Sequence, residues 1–174
     1  MPKLDALHVP SFSSPNRLST APGGVIADVE KVWRTCGASA GGIPDRATID
    51  PIEFGTAALP WIVLTVVETT EPELVLRYRL CGTGIANLMG RDVTGALSKD
   101  VVRSDDRDII LQPYLATLHE RAPTFWETSL LHPRTGWRPV YRGIWPYTQG
   151  SEAIAVLLNL TVPVSLRRAE RPGM

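Results

Sequence analysis

Cysteine is scarce: Cys36 and Cys81 are the only two in 174 residues. Two are too few for a disulfide framework. Each lies in an apolar periodic segment, where a free thiol behaves as a small buried hydrophobe. That usage points to a reducing compartment, with a single Cys36–Cys81 pair left open. Long apolar runs are missing too. The longest are strand-length, short of the roughly 20 residues a membrane helix needs. The first 25 residues hold no continuous apolar stretch, which argues against a secretory leader, so a cytoplasmic location is expected. Excess charge of one sign is lacking: 18 basic and 18 acidic residues balance, which argues against nucleic acid as the main partner. Histidine is limited to His8, His119 and His132, which share no metal-ligand spacing, so no metal site is expected. No G-x-S-x-G or other local nucleophile motif occurs, and a non-enzymatic role is expected.

What is present is ordinary globular material. Hydrophobic residues make up 44% and charged residues 21%, which excludes wholesale disorder and supplies a core large enough to need no staple. Residues 1–23 are rich in Ser and Pro and read as a disordered arm, the domain as 24–163, and 164–174 as a flexible tail. Val25, Ile26, Val29, Val32, Trp33 and Cys36 recur at helical spacing and predict an amphipathic helix ending near Gly37. Asp50 and Pro51 predict a short helix over 51–58. The β-branched run 61–67 and the alternating run 73–81 predict a hairpin. A short helix over 85–89 follows, then a longer one from Ser104 to about Arg121, expected to kink at Pro113. Runs 124–131, 138–147 and 153–161 predict three more strands, the last apolar on both faces and so central.

This order predicts an α+β fold: a five-stranded antiparallel sheet with inserted helices covering one face, plus an N-terminal helix. Such a cover encloses a natural small-molecule cavity. Leu76, Tyr78, Leu88, Trp126, Tyr141 and Trp145 are the expected lining. Gly82 or Gly84 is expected at positive φ, where strand must become helix within three residues. Arg77, Arg79 and Arg142 lie on strands among apolar neighbours. Pairing with Glu30, Asp28 or Glu127 is the simpler expectation, because charges are rarely buried alone. The sharper alternative has one of them reaching the cavity and holding an anion. The uncovered part of the outer sheet face predicts a homodimer with the N-terminal helix at its interface.

Arg77-Tyr78-Arg79-Leu80-Cys81-Gly82-Thr83 followed by Gly90-Arg91-Asp92-Val93-Thr94-Gly95 resembles the signature of a bacterial single-domain PAS-like family. Trp33 and the Pro44-Asp45-Arg46 and Asp50-Pro51 block accompany it, with Asp45 standing where the resemblance implies a small residue. The resemblance spans about residues 25–163 and implies a cytoplasmic sensory or regulatory module that binds a small ligand or a partner protein and signals in trans. It leaves the cofactor unknown. Some PAS domains hold haem through a His on the long helix, where His119 lies. A small cavity enzyme and a structural dimerisation domain are the competing readings. The enzyme would need a titratable group facing the cavity, for which Tyr78 is the candidate.

Overall fold

Strand alternation and helical spacing sort the apolar residues of this chain onto the two faces of one sheet. The computed structural model describes residues 9–40 and 42–165. In chain order the elements are β1 (Asn16–Leu18), α1 (Gly24–Ala40), β2 (Ile62–Thr69), β3 (Val75–Cys81), α2 (Thr83–Met89), α3 (Ser98–Val101), α4 (Arg107–Glu120), β4 (Thr124–His132), β5 (Gly136–Thr148) and β6 (Ile154–Pro163). The six strands form one antiparallel sheet in the order β1-β4-β5-β6-β2-β3. The fold is α+β, with one strand more than expected.

The extra strand comes from the arm. Residues 9–23 are ordered in the structure rather than disordered: Asn16–Leu18 pairs with β4, and Phe12 bridges Leu130. Val9 and Phe12 are buried. Composition hid this because Ser and Pro dominate the segment while its pairing partner lies more than 100 residues away. Residues 1–8 of the expected arm, and all of the expected tail except 164 and 165, lie outside the described residues. The short helix expected over 51–58 is replaced by turns, with Asp50 Oδ1 accepting the Ile52 N–H at 2.9 Å. The long helix runs unbroken through Pro113.

β6 lies between β5 and β2, covered on both faces. On one face, α1 and the 43–61 connection bury Val29, Trp33, Phe54, Phe125, Trp145 and Leu158 together. Trp33 Nε1 donates to the Pro146 carbonyl at 2.9 Å, and Trp145 Nε1 to Glu30 Oε2 at 2.6 Å. The opposite face carries α2, α3, α4 and the arm. There Tyr78, Ile85, Leu88, Ile110 and Leu130 form one cluster, and Leu76, Leu111, Tyr114 and Leu157 a second.

Candidate functional site

Between the helical cover and the sheet lies a cavity of about 30 Å³. A water molecule needs about 10–15 Å³ on the same scale, so the space holds two or three. Val63, Ile85, Val93, Ile110 and Leu130 supply apolar walls, and Val9 and Phe12 of the arm close one side. Among the described residues the polar lining comes from Tyr78, Tyr114, Arg142, Asn159 and Thr161, and contains no carboxylate.

Strand register explains how these groups meet. Val140, Arg142 and Ile144 alternate toward the helical cover on β5; Asn159 and Thr161 do so on β6, with Arg142 opposite Thr161. Arg142 is only 3% exposed. Its guanidinium carbon sits 5.3 Å from the ring centres of both Phe12 and Tyr114. These cation–π contacts offset part of the cost of burying the charge. Its buried Nε has no hydrogen-bond partner, and among the described residues no carboxylate pairs with it. Around it the polar groups are tied together: Asn159 Nδ2 donates to Tyr114 Oη at 2.9 Å, and Thr161 Oγ1 to Asn159 Oδ1 at 3.4 Å.

Tyr78 is placed by the two signature segments acting together. Its N–H donates to the Ala96 carbonyl at 2.9 Å, and its carbonyl accepts the Gly95 N–H at 2.6 Å. Asp92 Oδ1 accepts both the N–H and the hydroxyl of Thr94, holding the turn that delivers Gly95. Burial first, then neighbouring Tyr114, raises the Tyr78 pKa well above its ordinary range, against an opposing pull from Arg142. The phenol is therefore a neutral hydrogen-bonding group, unsuited to serve as a base.

The expected lining residues separate into three sets. Tyr78 faces the cavity. Leu88 packs in the surrounding cluster, and Leu76 in the adjacent one beside Tyr114, so neither lines the space. Trp126 is buried on β4 but spent elsewhere: Nε1 donates to Thr124 Oγ1 at 2.9 Å, and Arg17 lies 5.0 Å from its ring centre. Tyr141 and Trp145 belong to the opposite face and pack with α1. The physical reason is parity. β5 is apolar on both faces, so hydrophobicity does not choose between them, and the face with larger aromatics is the wrong one.

Of the three strand arginines Arg142 is the one that lines the cavity, the sharper of the two alternatives, whereas Tyr114, Asn159, Thr161, Val9 and Phe12 were not expected in the lining. A signal for Arg142 existed: β5 carries Arg138 near its exposed start, but Arg142 stands between Tyr141 and Gly143 as the one charge in the run Val140–Tyr147. The simpler pairing expectation fails for it, because Glu30 is taken by Arg34 and Trp145, while Arg77 pairs with Glu68. His119 is exposed on the outer side of α4, in a shallow depression with Asp108 and Gln112, facing away from the cavity. Among the described residues, no cluster of three His, Cys, Asp or Glu side chains could hold a metal ion. No helix there is long and apolar enough to cross a membrane.

The glycine expectation is corrected as well. Gly82 has φ −61° and ψ 152°, and Gly84 is not among the positive-φ residues. Close approach, not dihedral freedom, demands glycine here: a Cβ at Gly82 would run into the Pro60 carbonyl, and one at Gly84 would lie 2.9 Å from the same oxygen.

An antiparallel sheet whose inserted helices close over a small internal cavity defines an α+β module. Residues 25–129 match the family model described as PAS domain. The chain belongs to the PAS domain family, a family of sensory and regulatory modules. Among solved structures, the chain is similar to the PAS domain of Bordetella pertussis BvgS, with 16% identity, TM-score 0.38, and coverage of 69% of this chain and 94% of that one. It is also similar to an RNA-binding Light-Oxygen-Voltage receptor, with 14% identity, TM-score 0.45, and coverage of 91% of this chain but 40% of that one. No curated protein matches the chain.

Proposed function

We propose that this PAS domain is a non-enzymatic cytoplasmic sensory module that binds a small ligand in its internal cavity and signals in trans. The observation that supports the reading is Arg142: a cation buried at the cavity without a hydrogen-bond partner at Nε, beside ring and hydroxyl groups able to orient a guest. A purely structural core would more cheaply carry an apolar residue there. An enzymatic reading finds less support, since the one titratable candidate, Tyr78, is held neutral.

Homodimer formation belongs to the same proposal, with a revised location. Val29 and Trp33 are core residues and would report folding, not association. The uncovered part of that face is an open apolar groove of about 490 Å³ lined by Pro51, Leu59, Leu64 and Leu80. We place the second copy there, because Leu59 and Leu80 remain exposed on it and Ile52 is 84% exposed next to Pro51. Light scattering should show a dimer that Leu80→Asp converts to a folded monomer; a clean monomer of the parent chain at micromolar concentration removes this part of the proposal. Native mass spectrometry of the purified chain tests the ligand part. A retained small-molecule mass is expected, and an empty protein that takes up no added small molecule overturns it.

A further inference from the structure

The cavity has a definite chemical bias. Room for two or three waters is room for a guest of about three or four bonded non-hydrogen atoms, because bonded atoms sit closer together than neighbouring waters. Among the described residues its one charged lining residue is Arg142, and its remaining polar groups are Tyr78, Tyr114, Asn159 and Thr161. A guanidinium presents five N–H donors in a planar fork that matches a carboxylate through two parallel hydrogen bonds. Here the guanidinium carbon lies 5.3 Å from the ring centres of Phe12 and Tyr114, and Arg142 itself lines the cavity. Burial raises the value of such a contact, because water does not compete for it. The apolar walls from Val93 and Ile110 suit a hydrogen or methyl group at the other end of the guest.

We propose that the cavity is a binding site for a small monocarboxylate of the size of formate or acetate, anchored by Arg142. The inference rests on the ligand-binding reading given above and names its chemical class. The carboxylate would neutralise Arg142, accept from its terminal N–H groups, and accept a further hydrogen bond from the Tyr78 hydroxyl. No proton or bond is transferred. Phe12 ties the event to the arm, because its ring rests on the same guanidinium while its backbone is bridged to Leu130.

The test is isothermal titration of the purified full chain with sodium formate and acetate at constant ionic strength, against acetamide as the neutral isostere and chloride as a spherical anion. Saturable one-site binding of a carboxylate is expected, with acetamide and chloride inert. Arg142→Met should weaken binding about a hundredfold, as expected when one member of a buried charge pair is removed. Tyr78→Phe should weaken it about tenfold. Should Arg142→Met not fold, Arg142→Lys keeps the charge without the fork and should still bind about tenfold more weakly. The Arg142 Nε–H resonance of the parent protein provides an independent readout and should move with carboxylate occupancy. Binding of acetamide or chloride as tight as acetate, or carboxylate binding that survives Arg142→Met, overturns the carboxylate inference while leaving a ligand-binding cavity. No binding by any titrant together with an empty protein in native mass spectrometry overturns both.

Discussion

A buried guanidinium with no carboxylate partner is costly to keep in a core, and at the scale of single residues Arg142 is such a group among the described residues. Breaking a satisfied buried pair costs about 3–5 kcal/mol, whereas exchanging buried charge for a well-packed apolar residue is often neutral or stabilising by about 1–4 kcal/mol. The geometry puts Arg142 in the second class. Arg142→Met should therefore hold or raise the stability measured by urea unfolding in carboxylate-free buffer; a loss of about 3 kcal/mol would reveal a partner and contradict the account. Gly82 makes a second prediction. A methyl group there meets the Pro60 carbonyl, a backbone atom that cannot swing aside, so Gly82→Ala should cost about 1–3 kcal/mol in the same measurement.

Asp45 shows what a residue outside the implied pattern does. Oδ1 accepts the Ala47 N–H and Oδ2 the Gly150 N–H, both at 2.9 Å, stapling the connection after α1 to the β5–β6 hairpin. These hydrogen bonds, that from Ala47 first, lower its pKa below the ordinary 3.8. A carboxylate with a depressed folded pKa stabilises the protein above its unfolded pKa, and that stabilisation is lost as pH falls through the folded one. Asp45→Ala should therefore lower the melting temperature at neutral pH, with the gap to the parent narrowing as pH falls below the ordinary 3.8. A gap that stays constant across the acid range would contradict the charge-based part of this staple.

At the scale of elements, the arm matters most. Phe12 and Val9 wall the cavity, Ser11 Oγ donates to Asp106 Oδ2 at 2.8 Å at the start of the α4 region, and Arg17 makes a two-pronged pair with Glu120 at its end. Main-chain bonds run from Leu131 N–H to the Ser11 carbonyl and from Ser13 N–H to the Ser129 carbonyl, 2.9 and 2.8 Å. Phe12→Ala removes the ring that plugs this edge. It should destabilise the fold by about 3–5 kcal/mol and speed amide exchange at Leu131 and Ser13; unchanged exchange at both would show that the arm does not depend on Phe12.

Element identity was largely legible in the sequence, and element environment was not. The β2–β3 hairpin, α2, α4 and the last three strands follow from periodicity, because each buries one regular face or, for β6, two. The arm escaped because its strand is three residues long and stabilised by contacts distant in sequence. The 51–58 region escaped because Asp50 and Pro51 serve a turn as well as they serve a helix start. Of the six expected lining residues only Tyr78 reaches the cavity: Tyr141 and Trp145 lie on the other face, a choice set by register and not by hydrophobicity on a sheet buried on both faces, while Leu76 and Leu88 pack in clusters beside the space and Trp126 hydrogen-bonds to Thr124, none of them lining it.

At the scale of the whole molecule, the sheet separates two functions. One face and α1 form an apolar core; the other holds the cavity. Contact between a guest in the cavity and α1 is not direct, because α1 packs on the far face. The arm offers the covalent route instead: Phe12 at the cavity leads through β1 to Gly23 and Gly24, both at positive φ (90° and 58°), and so into the first turn of α1. Occupancy of the cavity should then be felt along this segment before it is felt in the sheet.

Backbone amide hydrogen exchange of the full chain, with and without saturating acetate, tests that claim most directly. The account predicts increased protection over residues 9–18 and at the Arg142 strand, extending to the first turn of α1. Protection that does not change on adding acetate, or that changes only on surfaces remote from Phe12 and Arg142, would contradict it.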